Sequence, residues 1–368
     1  MRIEERYETI DACRFCFMCR HVCTLGVVSG WESDTPRGKG LVLFSVAKGR
    51  AEYTPDLVDS VYRCCQCAMC RTWCKGGYRM PETILLARRD IVEAGRAPAA
   101  AQRIRDCILE SGNPFGLPPA DRFAALAAPP LRDRAEVVYY VGCDTAYRQP
   151  EIAAAMLAIL ARAGVDCTLL REETSTGKPL TLLGYADEAR RVAEQLAARI
   201  AATGCKLLVT ACPSAYDAFR NDYAGLLDGV EVLHAAEYVA RLAAQGKVAP
   251  GRAVARRLAP QDSDYLCRYN GRDQALRDLL QAIPGVQVEE MAWTREHAYS
   301  CGEAGGVFPA LYPELSRQMA QRMLEEAGRT RADAIATACP VTKSALLAVN
   351  QTQLEIRDAV EWFSASLA

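Results

Sequence analysis

Two short stretches concentrate the thiols of this chain. CRFCFMCRHVC carries Cys13, Cys16, Cys19 and Cys23, and CCQCAMCRTWC carries Cys64, Cys67, Cys70 and Cys74, both with the spacing C-x2-C-x2-C-x3-C. Of the 17 cysteines in 368 residues, nine fall before residue 75 and eight are scattered singly. An odd count gathered this way does not suit a disulfide framework; it suits metal ligation. Thiolates at i, i+3 and i+6 can wrap a short loop around one polynuclear cluster, while the fourth points away from it. Structural zinc more often uses two separated C-x2-C pairs or Cys/His mixtures, so zinc is the weaker reading. Cys65 lies outside the spacing and is expected not to be a ligand.

The doubled run resembles the ligand pattern of bacterial-type ferredoxins. That resemblance implies two [4Fe–4S] clusters that exchange their fourth ligands. Cys13, Cys16, Cys19 and Cys74 would hold one cluster, and Cys64, Cys67, Cys70 and Cys23 the other. One departure is the residue after each fourth Cys, usually Pro in such runs but here Thr24 and Lys75. No ligand is lost by it.

The elements that must position these thiols can be read nearby. Forty residues separate Cys23 from Cys64 and contain TPRGKGLVLFSVAKG (35–49) and TPDLVDSVYRCC (54–65). Thr35 and Thr54 are suited to N-caps with Pro at the first helical position, which predicts two helices. MPETILLARRDIVEAG (80–95) predicts a third, ending at glycine. Residues 1–110 thus resemble the α-helical ferredoxin of respiratory dehydrogenase iron–sulfur subunits. Arg37 and Lys39 are either solvated helix charges or groups that hold nearby cluster charge.

Composition narrows the function. A net charge of -1 argues against a general nucleic-acid or membrane-surface binder. The opening MRIEERYETIDACRF has no apolar run behind a basic start, so no leader peptide is expected. No apolar stretch approaches the roughly 20 residues of a membrane span. The expected compartment is the cytoplasm. His21, His234 and His297 are the only histidines, and no Ser-His-Asp or Cys-His arrangement can be assembled. A P-loop, a G-x-G-x-x-G turn and a C-x-x-C-H haem site are all missing, so no flavin or nicotinamide is expected on this chain.

Beyond residue 110 the texture changes. Residues 111–136 are rich in Pro, Gly and Ala and read as a linker passing over the surface. VVYYVGC (137–143), VDCTLL (165–170) and KLLVTACPS (206–214) read as buried strands alternating with helices at 151–164 and 186–204. This predicts parallel α/β units. The plan then repeats. DYLCRYN (264–270) opens the second half, VQVEEMAW (286–293) follows as a strand, and PELSRQMAQRMLEEAG as a helix. ADAIATACPVT (332–342) mirrors KLLVTACPS, with Cys212-Pro213 and Cys339-Pro340 ending the last strand of each half.

These halves resemble the paired cysteine-rich CCG repeats of heterodisulfide reductases and of the iron–sulfur subunits of glycolate oxidase and anaerobic glycerol-3-phosphate dehydrogenase. The family pattern is a Cys, a Cys-Cys-Gly turn, then a C-P-x-C turn. Here Cys143, Ser175-Thr176-Gly177 and Cys212-Pro213-Ser214-Ala215 occupy those places in the first half. Cys267, Ser300-Cys301-Gly302 and Cys339-Pro340-Val341-Thr342 occupy them in the second. The gaps agree, 31 residues between Cys143 and Ser175 against 32 between Cys267 and Ser300. The resemblance implies an α + α/β chain: a helical ferredoxin domain (1–110), a linker (111–136) and two degenerate repeats with parallel sheets (137–260 and 261–368).

The departures weigh on function. Ser, Thr and Ala do not replace soft thiolates at iron, so disulfide reduction is not expected. Cys143 and Cys212 read as buried thiols. Cys267, Cys301 and Cys339 leave two readings open: a third iron–sulfur cluster, or an inherited fold without its metal. The resemblance implies an iron–sulfur electron-transfer subunit. Its partners would be a flavin-dependent dehydrogenase and an acceptor such as a quinone, electron-transfer flavoprotein or ferredoxin, with any membrane association made through a partner. The competing readings are a thiol/disulfide redox enzyme and a non-redox metal scaffold.

Overall fold

The two Thr-Pro pairs start helices as the sequence indicates. In the computed structural model, which describes residues 1–367, Thr35 Oγ1 accepts from the Gly38 amide and Thr54 Oγ1 from the Leu57 amide. The helices run Pro36–Ala47 and Pro55–Tyr62. The PRGKG start of the first has a packing reason. A Cβ on Gly38 would lie 2.0 Å from the Glu32 carbonyl, and one on Gly40 would lie 3.1 Å from Cys13 Cβ. Gly38 thus lets the helix start against the Glu32 turn, and Gly40 lets it lie close to the first cysteine run. Met80–Glu93 and Ala99–Ser111 complete a helical head.

Residues 112–136 are not a free tether. Asn113, Arg122 and Leu126 are buried, and the Leu169 amide donates to the Pro130 carbonyl at 2.8 Å. The segment is tied to the edge of the first sheet, the Arg132 amide also donating to Thr168 Oγ1 at 2.8 Å. Most of its residues are nonetheless exposed, so the segment runs over the surface while tied to it.

Each half builds one four-stranded parallel sheet. The first contains β1 (Val137–Tyr140), β2 (Cys167–Thr168), β3 (Leu207–Thr210) and β4 (Glu231–His234), in the order β2-β1-β3-β4. The second contains β5 (Arg256–Gln261), β6 (Val286–Val288), β7 (Ala334–Thr337) and β8 (Glu355–Asp358), in the order β6-β5-β7-β8. Identical order in both halves makes the body a structural duplication. It also brings each Cys-Pro turn to the carboxyl end of an inner strand, where open α/β sheets place their crevices.

The second half opens differently from its sequence reading. Within DYLCRYN, Tyr265–Tyr269 forms a wide helical turn, and the half opens on a strand in the preceding RRLAPQ. Two arginines and a proline disguised it. Arg256 is exposed at the strand's start, and Arg257 pairs with Asp333 at 2.8 Å. The second sheet therefore begins at Arg256, ahead of the expected division at 260/261.

Candidate metal centres

Each cysteine run is a loop between helices, and its shape is set locally. The Tyr7–Cys13 helix ends on Cys13, and Cys23 starts Thr24–Ser29, its sulfur accepting from the Gly26 amide at 3.5 Å. In the second run Gln66 and Ala68 hold φ of 55° and 60°. Neither is glycine, so each costs on the order of 1–3 kcal/mol, a strain typical of functional loops. That winding lets Cys64, Cys67 and Cys70 face one side. Cys74 turns away, its sulfur accepting from the Tyr78 amide at 3.3 Å.

The thiols sort into two quartets. Cys13, Cys16, Cys19 and Cys74 line one hollow of about 250 Å3, together with Pro36, Arg37 and Lys75. Burial, with Cys19, Cys74 and Cys16 alongside, pushes the Cys13 thiol up to about 12. Burial, with Cys16 and Cys74 alongside, pushes Cys19 up to about 11. Cys23 belongs to the other group: burial and Cys67 raise it to about 12, against the pull of the Gly26 amide and Lys39. Cys70 is held well up by burial, then by Cys19, Cys67, Cys64 and Cys23. Cys19 and Cys70 thus face each other across the two groups. Cys65, outside the spacing, is buried and hydrogen-bonded to Cys67, which lowers the Cys67 thiol.

Metal ligation requires thiolates, so a bound metal would displace the protons that burial holds on Cys13, Cys19, Cys23 and Cys70. A single tetrahedral zinc, with bonds of about 2.3 Å, would need its sulfurs roughly 4 Å apart. Among the described residues no group of three or more His, Cys, Asp or Glu side chains is arranged to hold one metal ion.

Cations stand behind the second quartet. Lys39 is buried and donates to the Ser60 carbonyl at 2.9 Å and the Ser33 carbonyl at 3.1 Å. Burial lowers its pKa, while Cys64, Asp34 and Cys23 raise it. Its charge therefore faces two of the thiols. Arg37 lines the first hollow instead. Two arginines were not apparent from the sequence. Buried Arg88 donates to the carbonyls of Leu182 (2.6 Å), Cys64 (2.6 Å) and Tyr62 (2.9 Å). Arg268, from the second repeat, donates to the Cys67 carbonyl at 2.5 Å. An arginine bonded to carbonyls leaves no motif.

The repeat cysteines are placed differently. Arg122, paired with Glu173 at 2.8 Å, donates to Cys143 Sγ at 3.3 Å. Cys212 lies 3.2 Å from Ser214 Oγ, and burial pushes its thiol up to about 12. In the second repeat Thr342 gathers two sulfurs: its hydroxyl is 3.6 Å from Cys301 Sγ, and its amide donates to Cys339 Sγ at 3.5 Å. Cys267 lies instead against Asp262 at 3.6 Å, whose carboxylate is paired with Arg277. Ser300 Oγ donates to Asp264 at 2.5 Å and accepts from the Gly302 amide at 2.9 Å.

A helical head bearing two interleaved thiol quartets, seated on a duplicated parallel α/β body, defines a cysteine-rich metal-binding class of protein. The cysteine-rich domain family CCG matches residues 137–219 and 265–346. The chain is 28% identical over 364 residues to a subunit of the dihydromethanophenazine:CoB–CoM heterodisulfide reductase of Methanosarcina acetivorans, covering 92% of this chain and 88% of that protein. These matches liken the chain to the CCG-domain iron–sulfur proteins. The probable iron-sulfur-binding oxidoreductase FadF of Bacillus subtilis is also 28% identical, over 83% of this chain and 47% of that protein. The glycolate oxidase iron-sulfur subunit of Escherichia coli is 28% identical over 45% of this chain and 46% of its own length. Among the described residues no helix is long and apolar enough to cross a membrane.

Proposed function

We propose that the chain is the iron–sulfur electron-transfer subunit of an oxidoreductase complex. Cys13, Cys16, Cys19 and Cys74 hold one [4Fe–4S] cluster, and Cys64, Cys67, Cys70 and Cys23 hold the second, within a ferredoxin-type head. What supports this reading above all is that Cys74 lines the hollow of Cys13, Cys16 and Cys19, while Cys23 lies near Cys67 and Cys64. Such clusters supply single-electron storage and release. The protein's own part is to exclude water and hold the loops. Lys39 places positive charge beside Cys64 and Cys23, and Arg88 and Arg268 fix the carbonyls of Cys64 and Cys67.

Substrate chemistry then belongs to a flavin-dependent partner, since a flavin divides a two-electron oxidation into single steps. A quinone, electron-transfer flavoprotein or ferredoxin takes or supplies the electrons at the other end. The names of the relatives support an oxidoreductase subunit. The test is anaerobic purification with iron and sulfide analysis and EPR. About eight irons per chain are expected for two cubanes; about eleven or twelve would add a cluster at Cys267, Cys301 and Cys339. A colourless zinc protein would end the reading.

Similarity to a heterodisulfide reductase subunit along 92% of the chain favours one rival, a thiol/disulfide redox enzyme. Against it, Ser175, Thr176, Ala215, Ser300 and Thr342 stand where the full repeat carries thiolates. The reduced protein is expected to leave a CoM–CoB-type heterodisulfide intact, and turnover of that substrate would favour the rival.

A further inference from the structure

Hydrophobic side chains that stand in water are unevenly spread over this molecule. Phe15, Phe17, Met18, Val27 and Trp31 all lie in or just beyond the first cysteine run, Trp31 and Phe15 being 69% and 68% exposed. Among the described residues, the only large hydrophobic exposed on the two sheet-bearing repeats is Leu347. Cys16, in the middle of the aromatic group, is the one exposed cysteine among those described. A concentrated apolar patch rimmed by polar groups marks an interaction surface.

The patch has shape and charge. Phe17, Val27 and Trp31, with Arg20 and His21, line a groove of about 400 Å3. Phe17 also lies under the Arg37 guanidinium at 4.5 Å, and Arg37 lines the hollow of the first quartet, so groove and hollow adjoin. Four cations frame this face: Arg14, stacked 3.9 Å over Phe15, with Arg20, Arg37 and Lys75. Two carboxylates answer them, Asp11 on Arg14 and Glu32 shared by Arg20 and Arg37. Lys75 has no ion-pair partner among the described residues. The side-chain cations therefore outnumber the carboxylates by two. Aromatic, Met and Arg side chains are the types enriched at protein interfaces.

We propose that this face docks a protein electron carrier presenting an apolar patch inside an acidic rim. The excess of cations selects an acidic partner over a second copy of this chain, whose matching face would carry the same sign. Trp31 and Phe17 are its anchors, and the partner's apolar centre lies over Cys16. The proposal rests on the electron-transfer reading of the quartet, because a carrier must come close to the centre it serves.

The test uses the iron-loaded full chain and an oxidised plant-type [2Fe–2S] ferredoxin, a small acidic carrier, with binding read by calorimetry. Heat of binding does not depend on turnover. Binding is expected to weaken as salt rises and to fall about tenfold in Trp31→Ser and in Phe17→Ser, the loss of a hot-spot side chain. Both residues are exposed, so the variants should keep their iron and their melting temperature. Affinity unchanged by both substitutions, or indifferent to salt, overturns the proposal. So does equal binding of basic cytochrome c, a dimer lost in Trp31→Ser, or sedimentation with phosphatidylserine vesicles in place of ferredoxin binding. A chain without iron overturns the electron-transfer reading and this proposal with it, whereas an iron-loaded chain that ignores ferredoxin overturns the docking alone.

Discussion

Cys74 leaves its own run and closes the quartet begun at Cys13, held there by the Tyr78 amide. The exchange makes a residue-level prediction that runs against sequence proximity. Cys74→Ser should remove the centre of the first run and about four of eight irons, leaving the EPR signal of the Cys64–Cys67–Cys70 centre. Cys70→Ser should do the reverse. If Cys74→Ser instead damages the centre of its own run, the pairing is wrong. The two runs stand out in the sequence because their cysteines are many and regularly spaced. The arginines do not. Arg88 is fully buried and is known only by the carbonyls it meets, and those come from Val61, Tyr62, Cys64 and Leu182. Chain segments that distant are brought together by the fold, and no local spacing announces them.

At the scale of elements, the degenerate CCG turn has become a strut. Ser300 holds Asp264 at 2.5 Å, Asp264 pairs with Arg268, and Arg268 holds the Cys67 carbonyl at 2.5 Å. Arg71 returns the contact by donating to the Arg268 carbonyl at 2.7 Å, and Tyr269 donates to the Gln66 carbonyl at 2.8 Å. The helical turn at Tyr265–Tyr269 thus clamps the strained loop of the second run from outside the head. Where the resemblance to full CCG repeats implies a thiolate, this chain has a hydroxyl that fixes the clamp. Ser300→Ala would leave a buried Asp264 oxygen and the Gly302 amide without their partner, at a cost of about 1–3 kcal/mol. Anaerobic urea unfolding should show that loss, with the iron content unchanged. A stability equal to the parent's would mean the strut carries no strain. None of this was visible in the sequence, where RRLAPQ passed unread and the second half opened on DYLCRYN. Its apolar and aromatic residues suit either state, and only the pairing of RRLAPQ with β6 and β7 decides between them. The helices gave no such trouble, because Thr-Pro starts and glycine stops act within one turn of the chain.

The whole molecule is more unified than three consecutive segments suggest. One core runs through both sheets, from Val138 and Leu208 of the first to Leu258 and Ala336 of the second, and on to Trp362. The helix Ala359–Ala365 of the second half packs on Pro150–Arg162 of the first. The head shares its core as well. Leu180, Leu182 and Leu183 from the first repeat, with Tyr265, Phe308 and Met319 from the second, are buried among Ile10, Leu43, Val61 and Ile84. At about 1.5–3 kcal/mol for each large side chain, six such residues are worth roughly 10 kcal/mol. That is comparable to the whole stability of an ordinary domain, about 5–15 kcal/mol. The Tyr62 hydroxyl and the Arg88 guanidinium also bond carbonyls of the first repeat, Leu183 at 2.7 Å and Leu182 at 2.6 Å. A fragment ending at Ser111 would expose that apolar face and strand those polar groups. It should therefore fail to melt cooperatively and should bind less iron than the full chain, although it contains all eight cysteines of the two runs. A fragment that folds by itself and carries about eight irons would show instead that the repeats are a detachable platform, and that the clamp at Arg268 adds nothing the head does not already possess.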